Sequence, residues 1–441
     1  MRISWLVAIL GAAAWAIGSV AQCQATNLRR TLVPQAVQQQ GGSLQAALQP
    51  LGSVIGTQVA NQIPTLSTSA GYTYEYNPAI EAYERSSSTF GPLFSERAVT
   101  VGKNKFNVNL SYTYLHFNSF NGHDINHLTN HSEIASIGNQ TAYAGLRRPD
   151  LAANFPQLAS RCAAAADPQA CARSLAFTQV AVDLDLEAQL FDFSFTYGVL
   201  DSLDVNIDIP VVRTYARSEV TERTLDPRFA SAFDFGGGPD IVNRFASRNS
   251  ALGVGDIRLR AKYLAVTAPV RLAGLLDLAL PTGSPGNFQG TGNTRLGTFL
   301  IASQTIGKIF EPHAQAGVEF NADDVDRSQA KYLAGVTAQI GSIAAFTVDF
   351  LGRSEFARMS KIPSGGRLPA VQNGQFTETQ EPFHGRPLFV DIKRNDILDL
   401  AVGGKVSVAP QAIVFATVIL PLNDDGLRAD VVPTVGFEAT F

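Results

Sequence analysis

Charge is scarce in this chain. Asp, Glu, Lys and Arg make up only 16% of its 441 residues, against roughly 25% in soluble globular domains. Long apolar runs are scarce too. Past the N-terminal leader no stretch reaches the roughly 18 residues that a spanning helix needs. Yet the hydrophobic share is an ordinary 45%. Few charges without long apolar runs is the composition of a lipid-facing β-barrel, where only every second strand residue has to be apolar. The net charge of −4 gives no basic face and excludes a general nucleic-acid binder. Cysteine is nearly absent. Beyond Cys23 there are Cys162 and Cys171, enclosing AAAADPQA. In an oxidising compartment they can pair and staple a small helical hairpin, contributing about 3 kcal/mol in the chain-entropy description. Their spacing is wrong for a redox motif.

The chain opens MRISWLVAILGAAAWAIGSVAQCQA. One arginine, an uncharged apolar stretch and small residues after it read as a secretory signal peptide over residues 1–25, cleaved after Ala21 or Ala25. Gln22 stands before Cys23 where a lipoprotein signal needs a small residue. Residues 26–100 form an N-terminal segment, and from Thr31 to Tyr74 it carries no charge. Within it Leu44, Leu48, Leu51, Ile55, Val59 and Ile63 recur at helical steps, with Pro50 dividing the stripe. The segment is either a plug or lid in a barrel mouth or a periplasmic helix against the rim. Ala70, Tyr72, Tyr74 and Tyr76 then alternate as in a strand.

The last stretch, LRADVVPTVGFEATF, fixes the reading of the rest. Val431, Pro433, Val435, Phe437, Ala439 and Phe441 share one face, and Val432, Thr434, Gly436, Glu438 and Thr440 the other. A period of two with an aromatic-apolar face and a polar one suits lipid outside and a polar lumen inside. The same pattern begins at Phe106–Phe117. An insertion over residues 118–176 follows, carrying the cysteines and His123, His127 and His131. On a helix the outer two histidines would be about 12 Å apart, so one metal cannot take all three, and the flanking Asn and Gly favour a loop. Strands are expected at Gln189–Gly198, Leu203–Val211, Ile257–Tyr263, Leu272–Leu280, Leu296–Gln304, His313–Phe320, Tyr332–Ile340, Phe346–Phe350, Leu398–Val408 and Ala412–Leu420. The long loop after Phe350 carries Arg353, Arg358, Lys361, Arg367 and Arg386. Tight turns alternate with longer loops. That asymmetry predicts an all-β fold: a transmembrane antiparallel up-and-down β-barrel of about 12 (12–14) strands over residues 101–441, with its long loops extracellular.

Several segments resemble a known family, the outer-membrane transporters named for the meta pathway of phenol degradation. They are FGPLFSERA (Phe90–Ala98), TYGVLDSLDVNIDIPVV (Thr196–Val212), GVGDIRLRAKY (Gly253–Tyr263), LALPTG (Leu278–Gly283) and PLNDDGLRADVVPTVGFEATF (Pro421–Phe441). The resemblance implies a porin-like barrel and uptake of aromatic or other hydrophobic compounds. It carries over no catalytic residue. A closing strand ending in an aromatic also resembles those of bacterial outer-membrane proteins, which makes Phe441 the expected assembly signal.

Function is therefore expected in the lumen. The inward candidates are Asp256, Arg258, Arg260, Lys262, Asp277, His313, Glu319, Lys405 and Glu438. They either line a narrow pore, the favoured reading, or fill the barrel as an ion-paired core. The first reading is a passive outer-membrane channel for small hydrophobic or aromatic solutes. The alternative is a closed structural or binding barrel acting through its loops. An outer-membrane hydrolase would have to use His131-Ser132 or His313, and neither lies in a nucleophile motif. The expected partners are outer-membrane lipid, the assembly machinery and small solutes, without nucleic acid, cofactor or resident metal.

Overall fold

A computed structural model describes residues 27–32, 55–77, 82–85, 89–126, 134–137, 141–144, 177–225, 241–307, 309–356, 367–372, 375–382 and 394–441. The expected leader, the cysteine hairpin, His127, His131 and the stripe residues Leu44, Leu48 and Leu51 lie outside them.

Twelve strands close into an antiparallel barrel, each paired with its neighbours in sequence. They are β1 (Phe106–Phe117), β2 (Phe177–Leu200), β3 (Leu203–Leu225), β4 (Arg258–Val266), β5 (Arg271–Ala279), β6 (Arg295–Ser303), β7 (Phe310–Asn321), β8 (Gln329–Ile340), β9 (Ala344–Glu355), β10 (Asp396–Ala409), β11 (Ala412–Pro421) and β12 (Val432–Thr440). The last strand returns to the first, with Thr434 opposite Thr113 and Thr440 opposite Asn107. The Phe106 and Phe441 backbones exchange hydrogen bonds at 3.0 and 2.8 Å, which pins the seam at its lower end. Closure leaves no free strand edge inside the ring. Short turns such as 201–202, 341–343 and 410–411 gather at one end, and the long connections lie at the other.

The outer face is what a bilayer requires. Phe191, Phe193, Leu259, Leu276, Leu300, Phe346 and Phe437 are all exposed, Leu300 at 77%. A soluble protein does not leave so large an apolar band in water. This is an outer-membrane barrel, with β1 to β12 crossing by strands as lipid demands.

The strands extend past the lipid on one side, further than the sequence reading placed them. On β2 the lower part turns Phe191, Phe193 and Tyr197 outward and buries Asp192, Ser194 and Thr196 inside. Above Leu190 the sides exchange character. Val182, Leu184, Leu186 and Ala188 are buried inside, and Asp183, Asp185 and Glu187 are partly exposed outside. His116 Nε2 reaches Asp185 at 3.2 Å on this outer surface, marking where lipid gives way to water. β3 inverts likewise past Val211, with Arg213 and Arg217 outward and Val212, Ala216 and Val220 inward. The loop expected after Val211 is therefore partly strand. A returning strand, Ile241–Val254, pairs with β3 from Thr224 to Val211 and then leads into β4.

This upper storey has a core of its own. Leu28 of a short helix (Leu28–Thr31), its C-cap Leu32, and Ile55 and Val59 of a helical stretch at 55–62 pack with Phe117, Leu184, Leu186 and Phe288. Phe288 arrives on an infolded loop. Asp256 holds that loop by accepting from the N–H groups of Gly283 (3.1 Å) and Thr291 (2.9 Å), and Thr282 Oγ1 donates to Gly255 O at 2.6 Å. The GVGD and LPTG segments of the sequence are thus one interlocked element. A Cβ at Gly283 would stand 2.6 Å from Gln289 O and 2.8 Å from Gly290 Cα. Gly283→Ala is expected to push the loop off its seat at a cost of about 1–3 kcal/mol. Chymotrypsin should then cut after Phe288 roughly tenfold faster in the folded protein, because cleavage follows the open fraction.

Candidate functional site

The inner wall reads as two tiers of charge. Each exists because the period-two pattern sends alternate residues inward, and because a buried charge persists only when it is paired.

The upper tier ties wall to wall. Glu319 on β7 meets Lys331 Nζ (2.7 Å), Arg258 Nη2 (3.0 Å) and Arg295 Nη1 (3.3 Å) from three other strands. Arg258 also takes Asp277 at 2.6 Å, and Arg295 takes Asp256 at 3.3 Å. Arg260 lies 3.2 Å from Asp208 and donates to Asn206 at 2.9 Å. All of these acids are buried.

The lower tier ties wall to an internal strap. After the helical stretch at 55–62 the chain runs down the lumen to Thr73 and forms a small hairpin, Tyr74–Asn77 with Ala82–Arg85. It comes back inside at 89–101 before starting β1. The strand expected around Ala70–Tyr76 begins only at Tyr74, because the residues before it bond elsewhere: Gly71 and Tyr72 to the barrel wall, and Ala70 O to Arg97 of the strap. Gly71 N–H donates to Glu438, and Tyr72 Oη meets Ser407 Oγ at 2.5 Å. Glu96 binds the two strap runs together, accepting from Thr68 N–H (2.6 Å), Thr68 Oγ1 (2.8 Å) and Ser69 Oγ (2.7 Å). Lys262 stands 3.5 Å from Glu96 and donates to Ser69 Oγ at 3.0 Å. Arg97, 1% exposed, pairs with Glu311 at 3.5 Å and donates to the Thr89 and Ala70 carbonyls. Lys405 Nζ donates to Phe90 O at 3.0 Å and lies 3.5 Å from Glu438. Asp204 accepts from Val101 N–H at 3.0 Å.

Between the tiers is a cavity of about 200 Å³. Its floor is strap, at Leu66, Phe94 and Glu96. Its walls carry Phe299 and Leu351 beside Arg258, Arg260 and Arg353. Phe299 lies flat against the wall because β7 offers it Gly317, where a Cβ would meet the ring at 2.5 Å.

No protein-family model matches the chain, and none of the curated proteins does. Solved structures similar to it include an outer-membrane channel from Pseudomonas putida F1, at 9% identity over 78% of this chain and 98% of that one, with a TM-score of 0.43. The NanC porin is 8% identical over 57% and 93% of the two chains, with a TM-score of 0.33. The CymD monoaromatic hydrocarbon channel is 10% identical over 77% and 89%, with a TM-score of 0.32. At these values the likeness is one of general barrel form and assigns no solute.

The nine inward candidates are all buried on inner faces, except that Asp256 lies just before β4 and serves the infolded loop. The structure divides them between the tiers: Arg258, Arg260, Asp277 and Glu319 above, Lys262, His313, Lys405 and Glu438 below. His313 spends both ring nitrogens, Nδ1 on Glu311 O (2.9 Å) and Nε2 on Asp349 (2.6 Å). Neither nitrogen is left to activate a nucleophile. His123 lies in a two-residue strand, His123–Asp124, within the stretch expected as a loop.

Sequence reasoning left out Arg295, Lys331, Asp349, Arg353 and the Glu96-Arg97 pair as site residues. The sequence pattern puts Arg353 in a loop because the apolar alternation fades after Phe350. It lies on β9, opposite Ile397 of β10. Glu96 and Arg97 lie in irregular backbone, where no period can point to a face. Their one signal was the FGPLFSERA segment itself.

Proposed function

We propose that the protein is a passive outer-membrane channel for small hydrophobic or aromatic solutes, shut at rest by the strap at 62–73 and 89–101. The observation that carries this reading is what fills the lumen. The lower half is occupied by a separate segment held by hydrogen bonds and a few ion pairs, with a cavity left above it. A barrel packed by its own wall side chains would have neither. The resemblance to the phenol meta-pathway transporters supports the solute class, and the strand-terminal Phe441, exposed beside the seam, supports its role as an assembly signal. Residues 26–100 then act as the plug segment, and the long-loop end faces outward.

The test is influx into vesicles carrying the refolded protein, with sugars, amino acids, phenol and benzoate compared against protein-free vesicles. Faster entry of the aromatics is expected. Entry of none above the protein-free rate, by the wild type and by an Arg97→Ala variant with a loosened strap alike, overturns the channel. A second reading, a closed binding barrel, is favoured by one observation: the upper tier joins wall to wall through Glu319. It requires that no solute enters even when the strap is loosened.

A further inference from the structure

The cavity above the strap has an unusual supply of unfilled donors. Arg353 Nη1 donates to the Asn61 carbonyl, and among the described residues no carboxylate lies within ion-pair reach of it. Its neighbouring acids are engaged elsewhere: Asp399 accepts from Arg428, and Glu355 from Asn395 Nδ2 at 3.1 Å. Arg428, 4% exposed, has a buried Nε with no acceptor. Arg260 Nη2, although 3.2 Å from Asp208, makes no aligned hydrogen bond. All three guanidinium groups line the same cavity. Arg260 Nη2 and Arg428 Nε are thus orphaned buried donors, and the half-buried Arg353 is a cation without a carboxylate; such donors are costly to leave unfilled.

The rest of the lining is mixed: Glu96, Asp277, Asp399 and Lys331 are held in ion pairs, and one side is apolar. Leu66, Phe94, Phe299, Leu333, Leu351 and Ile419 face the same space. Its volume of about 200 Å³ is several times the roughly 30 Å³ share of one water. It falls short of the roughly 300–1,000 Å³ of pockets for drug-sized ligands. That is room for one ring or a short chain.

We propose that this cavity is a binding site for the carboxylate form of a small apolar acid, its charged end on Arg353, Arg428 and Arg260 and its hydrocarbon against the phenylalanines and leucines. It deepens the channel reading and rests on it for one point only, that the bound acid is cargo. A carboxylate suits these donors because a guanidinium fork meets its two oxygens together. A neutral hydrocarbon leaves the donors unfilled. Inorganic phosphate fills them and leaves the apolar wall facing nothing.

The experiment is calorimetric titration of the refolded protein in detergent, at pH 7.5, with benzoate, benzyl alcohol and inorganic phosphate. Benzoate is expected to bind at least tenfold more tightly than either. Arg353→Gln is expected to weaken benzoate roughly tenfold, the share of one charge-assisted hydrogen bond, and to leave benzyl alcohol unchanged. Arg353→Lys should recover part of the loss. Equal binding of acid and alcohol, phosphate as tight as benzoate, no binding of any, or a folded Arg353→Gln with unchanged benzoate affinity each overturns the proposal. The wild-type comparison decides even if the variant fails to fold. Vesicle influx separates the two readings. Benzoate bound with nothing crossing, through the wild type or through Arg97→Ala, keeps the site and removes the channel. Solutes crossing with no benzoate preference in either assay keeps the channel and removes the site.

Discussion

Arg97→Ala is expected to open the lumen. The arginine ties the strap to the wall and the strap to itself: it pairs with Glu311 on β7 and donates to carbonyls of both strap runs. Truncation leaves Glu311 buried with its countercharge gone and the two carbonyls without this donor. Breaking a buried pair on one side costs about 3–5 kcal/mol. Because the barrel wall keeps all its own ladders, that cost falls on docking of the strap, and the undocked fraction should rise at least about a hundredfold. Planar-bilayer conductance reads this directly, with heat-shifted gel mobility showing that the barrel is closed. Conductance equal to wild type, from folded protein, would mean that the wall seals the lumen without the strap. The closed-barrel reading would then replace the channel.

Glu319→Gln is expected to have the largest effect on stability. One carboxylate there answers Lys331, Arg258 and Arg295 from three other strands. Arg258 keeps Asp277 and Arg295 keeps Asp256, but Lys331 is left facing two cations. The loss should again be about 3–5 kcal/mol, seen as a lower urea midpoint for loss of the unheated-gel form. Adding Lys331→Met should return part of it, since the orphaned charge is then gone, and the non-additivity measures the coupling. If Glu319→Gln unfolds at the wild-type midpoint, the tier contributes nothing to holding the wall.

The sequence made the barrel legible because lipid imposes a rule on every second residue. Phe191 to Tyr197 and Val431 to Phe441 announce their outer face without any partner in view. The rule stops where the bilayer stops. At Leu190 and Val211 the strands continue with an unbroken period but exchange their apolar and polar sides. A search for apolar-out alternation ends at that point, although the hydrogen-bond ladder runs on to Phe177 and Leu225. The side on which Arg258, Arg260 and Lys262 lie was readable. Their partners were not, because Glu319, Asp208 and Glu96 come from other strands or from the strap, and register is set by the closed ring. Arg353 was lost to a loop for the related reason that Leu351 and Arg353 point inward, where lipid sets no rule.

The strap has a consequence for the order in which the molecule comes together. Residues 27–32 lie at the long-loop end, where Leu28 N–H meets Asn287, while Phe106 begins β1 at the other end. The chain therefore passes through the ring before its first strand. Pulling a polypeptide through a finished ring is a route that folding avoids. The seam between β1 and β12 must instead zip around a strap already in place. A variant that cannot seat the strap would then show its defect first as slow closing of that seam during biogenesis, before any change in the finished barrel.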